Sequence, residues 1–395
     1  MSQWRTARLE DVAQVLGGGT PSRTEKSYFG GGIAWATPTD ITALDQLYIG
    51  KTKETVSEAG LRSSSTKLMQ AGAVLLTSRA TIGFTAVSTV PICTNQGFIN
   101  FVCGPELVPE YLAYWLRTQK DKMFQHAGGT TFKEIARGTL RKFEIPVPPL
   151  PDQRRIVDVL SRAEGIVRLR REAEQKAAEL IPALFIDMFG DPATNPKGWL
   201  VVRFGDLAEK MSDGPFGSNL KSSHYVEAGA RVIRLQNIGV GELIDDAKAY
   251  VSPAHFASLP RHRCVPGDVI IGTLGDPNLR AIVLPPTIQE ALNKADCVQF
   301  RCLQGVAYPA YICWLMNMPS TLAMAASLVQ GITLSRISMG RLREMVVPVP
   351  PYDVQQDFSG RVELISAIQS QQFAATAKAQ ATFDALLTGA FAAVA

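Results

Sequence analysis

The chain has 395 residues, 46% of them hydrophobic and 19% charged, with a formal net charge of +4. That balance excludes a disordered tail, and the length exceeds one ordinary core, so two or three domains are expected. The mild positive charge permits a nucleic-acid partner without requiring one.

No apolar run reaches the roughly 18 residues a membrane span needs, so no span is expected. Glu10 and Asp11 stand where a secretory signal would place its apolar core. The six cysteines (Cys93, Cys103, Cys264, Cys297, Cys302 and Cys313) form no CxxC pair. They read as reduced thiols of a cytoplasmic protein.

In chain order, WRTARLEDVA at 4–13 leads into a Gly-rich stretch, GGGTPSRTEKSYFGGGIAWATPTD at 17–40, whose composition predicts loops between short strands. A strand is expected at 74–76, within AGAVLL, and another at 98–101, after TNQ. The segment GTTFKEIARGTLRKFEIPVPPLPDQ at 129–153 then reads as a Gly turn, a short helix, an apolar strand and a rigid Pro pair. Proline fixes φ and restricts the residue before it, so the strand must end there.

After Pro151 the sequence predicts a long amphipathic helix over 152–188. One apolar run is Ile156, Leu160, Ala163 and Val167; a second is Leu169, Ala173, Ala177, Leu180 and Leu184. Pro182 is expected to kink or end it.

The second half repeats these landmarks. WLVVRFGDLA at 199–208 answers 4–13, PGDVII at 266–271 answers AGAVLL at 71–76, and LNKADCVQF at 292–300 echoes TNQGFINF, with Asn95 set on Asn293. A loop-rich stretch at 212–237 includes an expected strand at 232–235. The segment GITLSRISMGRLREMVVPVPPYDVQ at 331–355 repeats 129–153. Gly129 falls on Gly331, Thr131 on Thr333, Ile135 on Ile337, Gly138 on Gly340 and Leu140 on Leu342. Pro146, Pro148 and Pro149 fall on Pro348, Pro350 and Pro351, and Gln153 on Gln355. This is a duplication, not a short-period solenoid.

A second helix is expected over 354–389, with Phe358, Val362, Ile365, Ile368, Phe373, Ala377, Phe383 and Leu387 apolar. Two such helices can bury their stripes on each other as an antiparallel pair, or each can pack on its own domain. The Ala-rich outer faces could also receive another subunit. The expected boundaries are a first domain at 1–151, a helix at 152–190, a second domain at 191–352 and a helix at 353–395.

The tools of catalysis are missing from the sequence. There is no phosphate-binding G-x-x-x-x-G-K-[ST], no dinucleotide fingerprint and no H-E-x-x-H. His126, His224, His255 and His262 lack ligand spacing. His262, between Arg261 and Arg263, could touch phosphate, or be solvated or hydrogen-bonded. DGPF at 213–216 only faintly matches the base-holding loop of adenine methyltransferases, because Gly214 stands where a proline is required, so a loop turn is the better reading. Acidic residues such as Asp268 and Glu54 form no nuclease cluster. Three classes stay open on these grounds: a DNA-reading scaffold, an autonomous enzyme and a protein-only interaction module.

Polar loops in matching places favour the first. In the first half these are Ser22, Arg23, Lys26, Thr37, Thr39, Asp40, Ser78, Arg79, Asn95 and Gln96. In the second they are Ser218, Asn219, Lys221, Arg234, Gln236, Asn237, Thr273, Asn293 and Lys294. Asn and Gln pair with adenine edges and Arg with guanine, while Ser, Thr and Lys hold phosphates. Asn95 and Asn293 could equally cap turns in both halves.

The pieces LEDVAQVLGGGTPSR at 9–23, IAWATPTDI at 33–41, AGAVLLTSRATIG at 71–83, TNQGF at 94–98, GTTFKEI at 129–135 and IPVPPLPDQRRI at 145–156 closely resemble the specificity subunit of type I restriction–modification systems. The resemblance covers essentially the whole chain. It implies an α+β fold: two duplicated mixed α/β target-recognition domains joined by long antiparallel paired helices, a coiled-coil-like spacer. Each domain would read one half of a split double-stranded DNA site. The helices would space the halves and dock methyltransferase subunits, and a restriction and translocation subunit would complete the complex. The resemblance implies no catalytic residue and no cofactor in this chain; S-adenosylmethionine, ATP and magnesium would belong to the partners, in the cytoplasm and without a membrane. The second half departs from the usual pattern at Gly331-Ile-Thr-Leu, at Tyr352-Asp353-Val354 and at GTLGDPN, 272–278.

Overall fold

The computed structural model describes residues 4–129, 133–275, 277–330 and 335–392. The fold is α+β, and the chain divides into two compact units: Met1–Glu174 with Gln372–Ala395, and Gln175–Gln371. The helical segments expected at 152–190 and 353–395 are therefore each divided between the units near residues 174 and 371.

The first unit opens with strand Arg5–Arg8, which pairs antiparallel with Glu144–Val147, setting Thr6 opposite Pro146. Proline is tolerated because this is a two-stranded ribbon, where a missing donor can face outward. A five-stranded sheet runs in the order Ala13–Gly17, Phe98–Cys103, Val74–Thr77, Thr85–Ser88, Tyr48–Ile49. A three-stranded sheet sets Phe29–Ala36 between Glu54–Val56 and Ile92–Thr94, the last pairing being parallel. Strand Val74–Thr77 is buried on both faces, one toward the helix Pro109–Thr118, the other toward Ala36, Ile49 and Phe98. That explains its unbroken apolar run in place of alternation.

The second unit repeats the plan. Strand Leu200–Arg203 pairs with Val346–Val349, setting Val201 opposite Pro348. A four-stranded sheet runs Ala208–Ser212, Cys297–Cys302, Val269–Gly272, Ala281–Val283. In a five-stranded sheet Ala230–Ile233 pairs in parallel with Ala291–Asn293. The helix Pro309–Asn317 covers the core as Pro109–Thr118 does in the first unit.

The second unit also buries an ion pair beside its core. Asp268, in the place of Ala73, is 1% exposed and receives Arg301 Nε and Nη2 at 2.8 and 2.9 Å and Gln299 Nε2 at 2.6 Å. A carboxylate can be buried here because every bond it loses to water is replaced.

The predicted first helix is observed as Leu150–Ala178 and Leu180–Phe189. Pro182 has no N–H for the Ala178 carbonyl, and its ring crowds that carbonyl, so the break falls one turn before it. The second helix runs unbroken over Tyr352–Ala392.

In the first unit the two helical stretches lie antiparallel: Ile156 shares a groove with Gly389 and Ala390, while further along Arg170 Nη1 donates to Gln372 Oε1 at 3.2 Å and Arg171 Nη2 to Gln380 Oε1 at 2.7 Å. The first helix also packs on its own domain, where Glu164 Oε2 accepts from Tyr114 Oη at 2.8 Å, and the end of the second packs on that same domain, Phe383 meeting Tyr114 with ring centroids 6.4 Å apart. In the second unit Phe185 meets Phe358 at 5.7 Å, and Gln369 Nε2 donates to Ala177 O at 2.6 Å. Helix pairing and packing on the domain thus coexist.

The expected apolar stripes hold only in part. Leu160, Val167, Phe358 and Phe383 are buried, but Leu169, Ile368 and Phe373 are exposed, Phe373 by 67%. One partner helix covers one side only, so a run that drifts around the helix leaves residues in solvent.

Candidate nucleic-acid interface

At one end of each domain four loops meet, held by the same backbone bonds in both units. In the first, Ser78 N donates to Gly97 O at 2.8 Å, Ala80 N to Lys133 O at 3.1 Å, and Ile135 N to Ser78 O at 3.0 Å. In the second, Thr273 N donates to Asp296 O at 2.9 Å, Gly275 N to Ser335 O at 3.1 Å, and Ile337 N to Thr273 O at 2.9 Å. Isolated bridges Gly128–Glu134 and Gln330–Arg336 close the two turns. The duplicated segments beginning at 129 and 331 are thus the clasps of the loop clusters. Residues 130–132, 276 and 331–334, including Thr131, Gly331 and Thr333, lie outside the described residues.

The fourth loop needs glycine. A Cβ on Gly18 would meet Asn95 O at 1.7 Å, and one on Gly214 would meet Lys294 O at 2.0 Å. Gly214 in DGPF is therefore the glycine of a close backbone contact. Ala80, at φ +61°, takes a left-handed conformation that Gly275 takes at +110° in the second unit. An alanine there is strained, and its N–H bond to Lys133 holds it.

These contacts correct one residue pairing. Asn95 N donates to Ala36 O at 3.0 Å, and Lys294 N donates to Ile233 O at 2.8 Å. Asn95 therefore matches Lys294, and Asn293 matches Thr94. The two Asn-Gln and Asn-Lys strings share a letter but not a register.

Several predicted contact residues are consumed by the scaffold. Asp40 is buried and accepts from Thr37 N at 2.8 Å, Thr37 Oγ1 at 2.6 Å and Lys53 N at 2.9 Å. It closes a capping box on Pro38–Thr42, and Thr39 Oγ1 pairs with Thr37 Oγ1 at 2.9 Å. Asn237, fully buried, donates to Ile244 O and Ala247 O at 2.9 and 3.0 Å and accepts from Arg234 N at 3.1 Å. Arg234 turns its Nη2 to Ala247 O at 3.0 Å. Asn293, also fully buried, donates to Ser212 O at 3.0 Å and Cys297 O at 2.7 Å. Ser78 is buried by the clasp, and Thr273 Oγ1 bonds Asp296 O at 3.1 Å. As contact residues Asp40, Ser78, Asn237, Thr273 and Asn293 are corrected. Short polar side chains satisfy buried loop backbone better than they reach outward.

Others remain at the surface. Ser22, Lys26, Gln96, Ser218, Asn219, Lys221 and Gln236 are exposed. Ser22 Oγ lies 2.8 Å from Thr24 Oγ1, and Gln96 pairs with Thr20. Asn95 Oδ1 accepts from Gly97 N at 2.9 Å, shaping the turn beneath Gln96. Arg23 is exposed but held: Glu54 takes it at 2.5 and 3.2 Å, and it lies over the rings of Phe29 and Trp35 at 4.7 and 5.1 Å. Arg79 faces Glu134 at 3.8 Å. Lys294 Nζ donates to Leu220 O at 2.8 Å. His262 Nδ1 donates to Asp213 O at 2.6 Å, so it is a hydrogen-bonded loop histidine.

The loop cluster also contains cations the sequence reading passed over. Lys133 and Arg137 are exposed, and a Cβ on Gly17 would stand 3.4 Å from Arg137 Nη1, which places that guanidinium over the Gly-rich loop. Arg336 lies over the Phe216 ring at 5.1 Å and pairs with Asp296 at 2.8 Å. Both arginines sit in the duplicated segments, where recurrence marks apolar positions and not charges. Burial raises the Asp213 carboxyl, against the Arg336 guanidinium that lowers it. Among the described residues no group of three His, Cys, Asp or Glu could hold a metal ion, and no helix is long and apolar enough to cross a membrane.

Residues 1–179 match the family model of the type I restriction modification DNA specificity domain. The chain is 28% identical over 382 residues to the type I restriction enzyme MjaIX specificity subunit of Methanocaldococcus jannaschii, covering 91% of this chain and 86% of that one. It is 25% identical over 185 residues to the EcoR124I/EcoR124II specificity subunit of Escherichia coli, covering 45% of each. Two solved structures share the fold. One, from work on complex assembly and conformational transition of the type I R-M system, has a TM-score of 0.66 and 19% identity, covering 99% of this chain and 98% of that one. The other, the S subunit of the type I system of M. genitalium, has a TM-score of 0.55 and 15% identity, covering 98% and 96%.

Proposed function

We propose that this chain, which belongs to the specificity-subunit family of type I restriction–modification systems, reads a bipartite DNA sequence, one half-site with each loop cluster. The observation that carries this reading is the duplicated cluster itself: one backbone clasp, Ser78–Ile135 and Thr273–Ile337, bearing different side chains in the two units. A shared frame with divergent exposed residues is the arrangement expected of two readers of different sequences.

Arg137, Gln96, Lys26 and Lys133 would face DNA from the first domain. Lys221, Gln236, Lys294 and Arg336 would do so from the second. The arginines and glutamines suit base edges and the lysines suit phosphates. The long helices would fix the unread gap. A helix of 41 residues is about 60 Å long at 1.5 Å per residue, against roughly 35 Å for one turn of DNA.

In this reading the chain scaffolds methyltransferase and restriction subunits and has no catalysis of its own. S-adenosylmethionine, ATP and magnesium act in those partners, in the cytoplasm. The test is to co-express the chain with its methyltransferase partner and map modified adenines across a genome. A single split motif is expected; unmodified DNA, or a continuous motif, would overturn the proposal. A protein-only interaction module predicts no sequence-dependent DNA binding even with the methyltransferase present.

A further inference from the structure

Each domain is joined to its departing helix by one buried glutamine. Gln153 lies in the first turns of Leu150–Ala178 and is fully buried. Its Oε1 accepts from Val108 N at 2.8 Å. Its Nε2 donates to Glu106 O and to Pro148 O, both at 2.8 Å. One side chain thus ties together the helix, the proline turn before it and the domain loop that leads into Pro109–Thr118. Gln355 does the same in the second unit: Oε1 accepts from Tyr308 N at 2.8 Å, and Nε2 donates to Val306 O at 3.0 Å and Pro350 O at 2.8 Å.

A second tie sits beside each. Tyr111 Oη donates to Pro146 O at 2.9 Å, and Tyr311 Oη to Pro348 O at 2.5 Å. Both rings also pack against a phenylalanine near the far end of the other long helical segment: Tyr111 on Phe391 at 5.2 Å, Tyr311 on Phe189 at 4.9 Å. The prolines of the turn have no N–H groups of their own to offer. Without the glutamine, the buried carbonyl of Pro148 or Pro350 would be left unpaired and the half-buried Val108 or Tyr308 N–H would lose its partner, so the helix start would open or tilt to reach water. Packing alone restrains tilt weakly, because apolar contacts are non-directional. The three hydrogen bonds are directional.

We propose that Gln153 and Gln355 are positioning residues that lock the angle between each reading domain and its departing helix, and so set how strictly the gap between half-sites is enforced. This rests on the bipartite reading above. Neither residue is expected to touch DNA.

The test uses the full chain co-expressed with its methyltransferase partner, with Gln153→Met, Gln355→Met and the double variant. Methionine keeps the volume and makes none of the bonds. Adenine methylation is mapped genome-wide and sorted by gap length. The expected result is unchanged half-site sequences, with methylation appearing at gaps one base pair longer and shorter. Discrimination between the native gap and these neighbours should fall about tenfold, the factor equivalent to roughly 1.4 kcal/mol.

A merely structural role would lower methylation everywhere at one unchanged gap, and that outcome overturns the proposal. So does a double variant indistinguishable from the wild type. If the methionine variants do not accumulate, Tyr111→Phe and Tyr311→Phe carry the test, since each deletes one hydrogen bond and keeps the ring packing. Gap broadening then supports the lock, and a strict gap at full methylation refutes it. A wild-type control without a split motif would instead sink the functional reading beneath it.

Discussion

Gly214 and Lys294 meet backbone to backbone: a Cβ on the glycine would stand 2.0 Å from the lysine carbonyl oxygen. Gly18 and Asn95 repeat the contact in the first unit at 1.7 Å. In the first unit the contact holds the Gly-rich loop against the turn that presents the exposed Gln96. Backbone cannot yield as a side-chain tip can. Gly18→Ala or Gly214→Ala should therefore cost about 1–3 kcal/mol of stability, the range for overpacking. Urea unfolding measures that cost, and methylation mapping should show weakened reading of one half-site only. An alanine variant as stable as the wild type, with both half-sites intact, would refute the role given to these glycines.

Arg170 and Arg171 reach Gln372 and Gln380 across the helix pair of the first unit. A turn of four residues added after Arg171, with a matching turn after Gln371, preserves that pairing and adds about 6 Å of helix. The unread gap should lengthen by about two base pairs at 3.4 Å each, with both half-sequences unchanged. An unchanged gap would remove the helices as the spacing element. Exchange of residues 1–150 for another recognition domain should alter one half-site and leave the other.

Asp213 sits beside the second loop cluster with its carboxyl raised by burial, and Asp296 raises it further, against Arg336 and His262. A carboxyl raised in the folded state binds protons more tightly folded than unfolded, so its contribution to stability falls as pH rises above the ordinary value of 3.8. Asp213→Asn should therefore be more stable than the wild type at neutral pH, with the difference shrinking on acidification. Urea midpoints measured across pH would show this; a destabilised Asn variant at pH 7 would contradict it.

The cysteines are unpaired and mostly buried. Burial pushes the Cys93 thiol up to about 11 and those of Cys103, Cys302 and Cys313 up to about 12, and it raises Cys264 and Cys297 as well. Thiolate is the reactive form, so iodoacetamide at pH 8 should label the native protein slowly. Urea should expose all six. Mass spectrometry counts the adducts, and rapid native labelling of any one would contradict its burial.

Much of the architecture was legible from short patterns. The proline-ended strands at 144–147 and 346–349 appear where the duplicated segments placed them, and both long helices form, though only part of each apolar stripe is buried. The contact residues were less legible. Asp40, Asn237 and Asn293 have the composition of a polar reading loop, yet each is spent on carbonyls or N–H groups inside its own domain. A polar side chain on a loop carries the same letter whether it faces solvent or caps a turn. Arg137 and Arg336 lie in segments whose recurrence marks apolar positions and carries no signal for their charges.

The sequence by itself determined that the chain is duplicated, that each copy ends a strand on fixed prolines, and that long helices follow. Those features rest on local properties: the φ of proline, the 3.6-residue period, and recurrence along the chain. Only the tertiary structure decided that Asn95 answers to Lys294, that five expected contact residues are scaffold, and that each helical segment is divided between two units. Those outcomes depend on which backbone groups are left without water once distant segments close over them, and no local pattern records that.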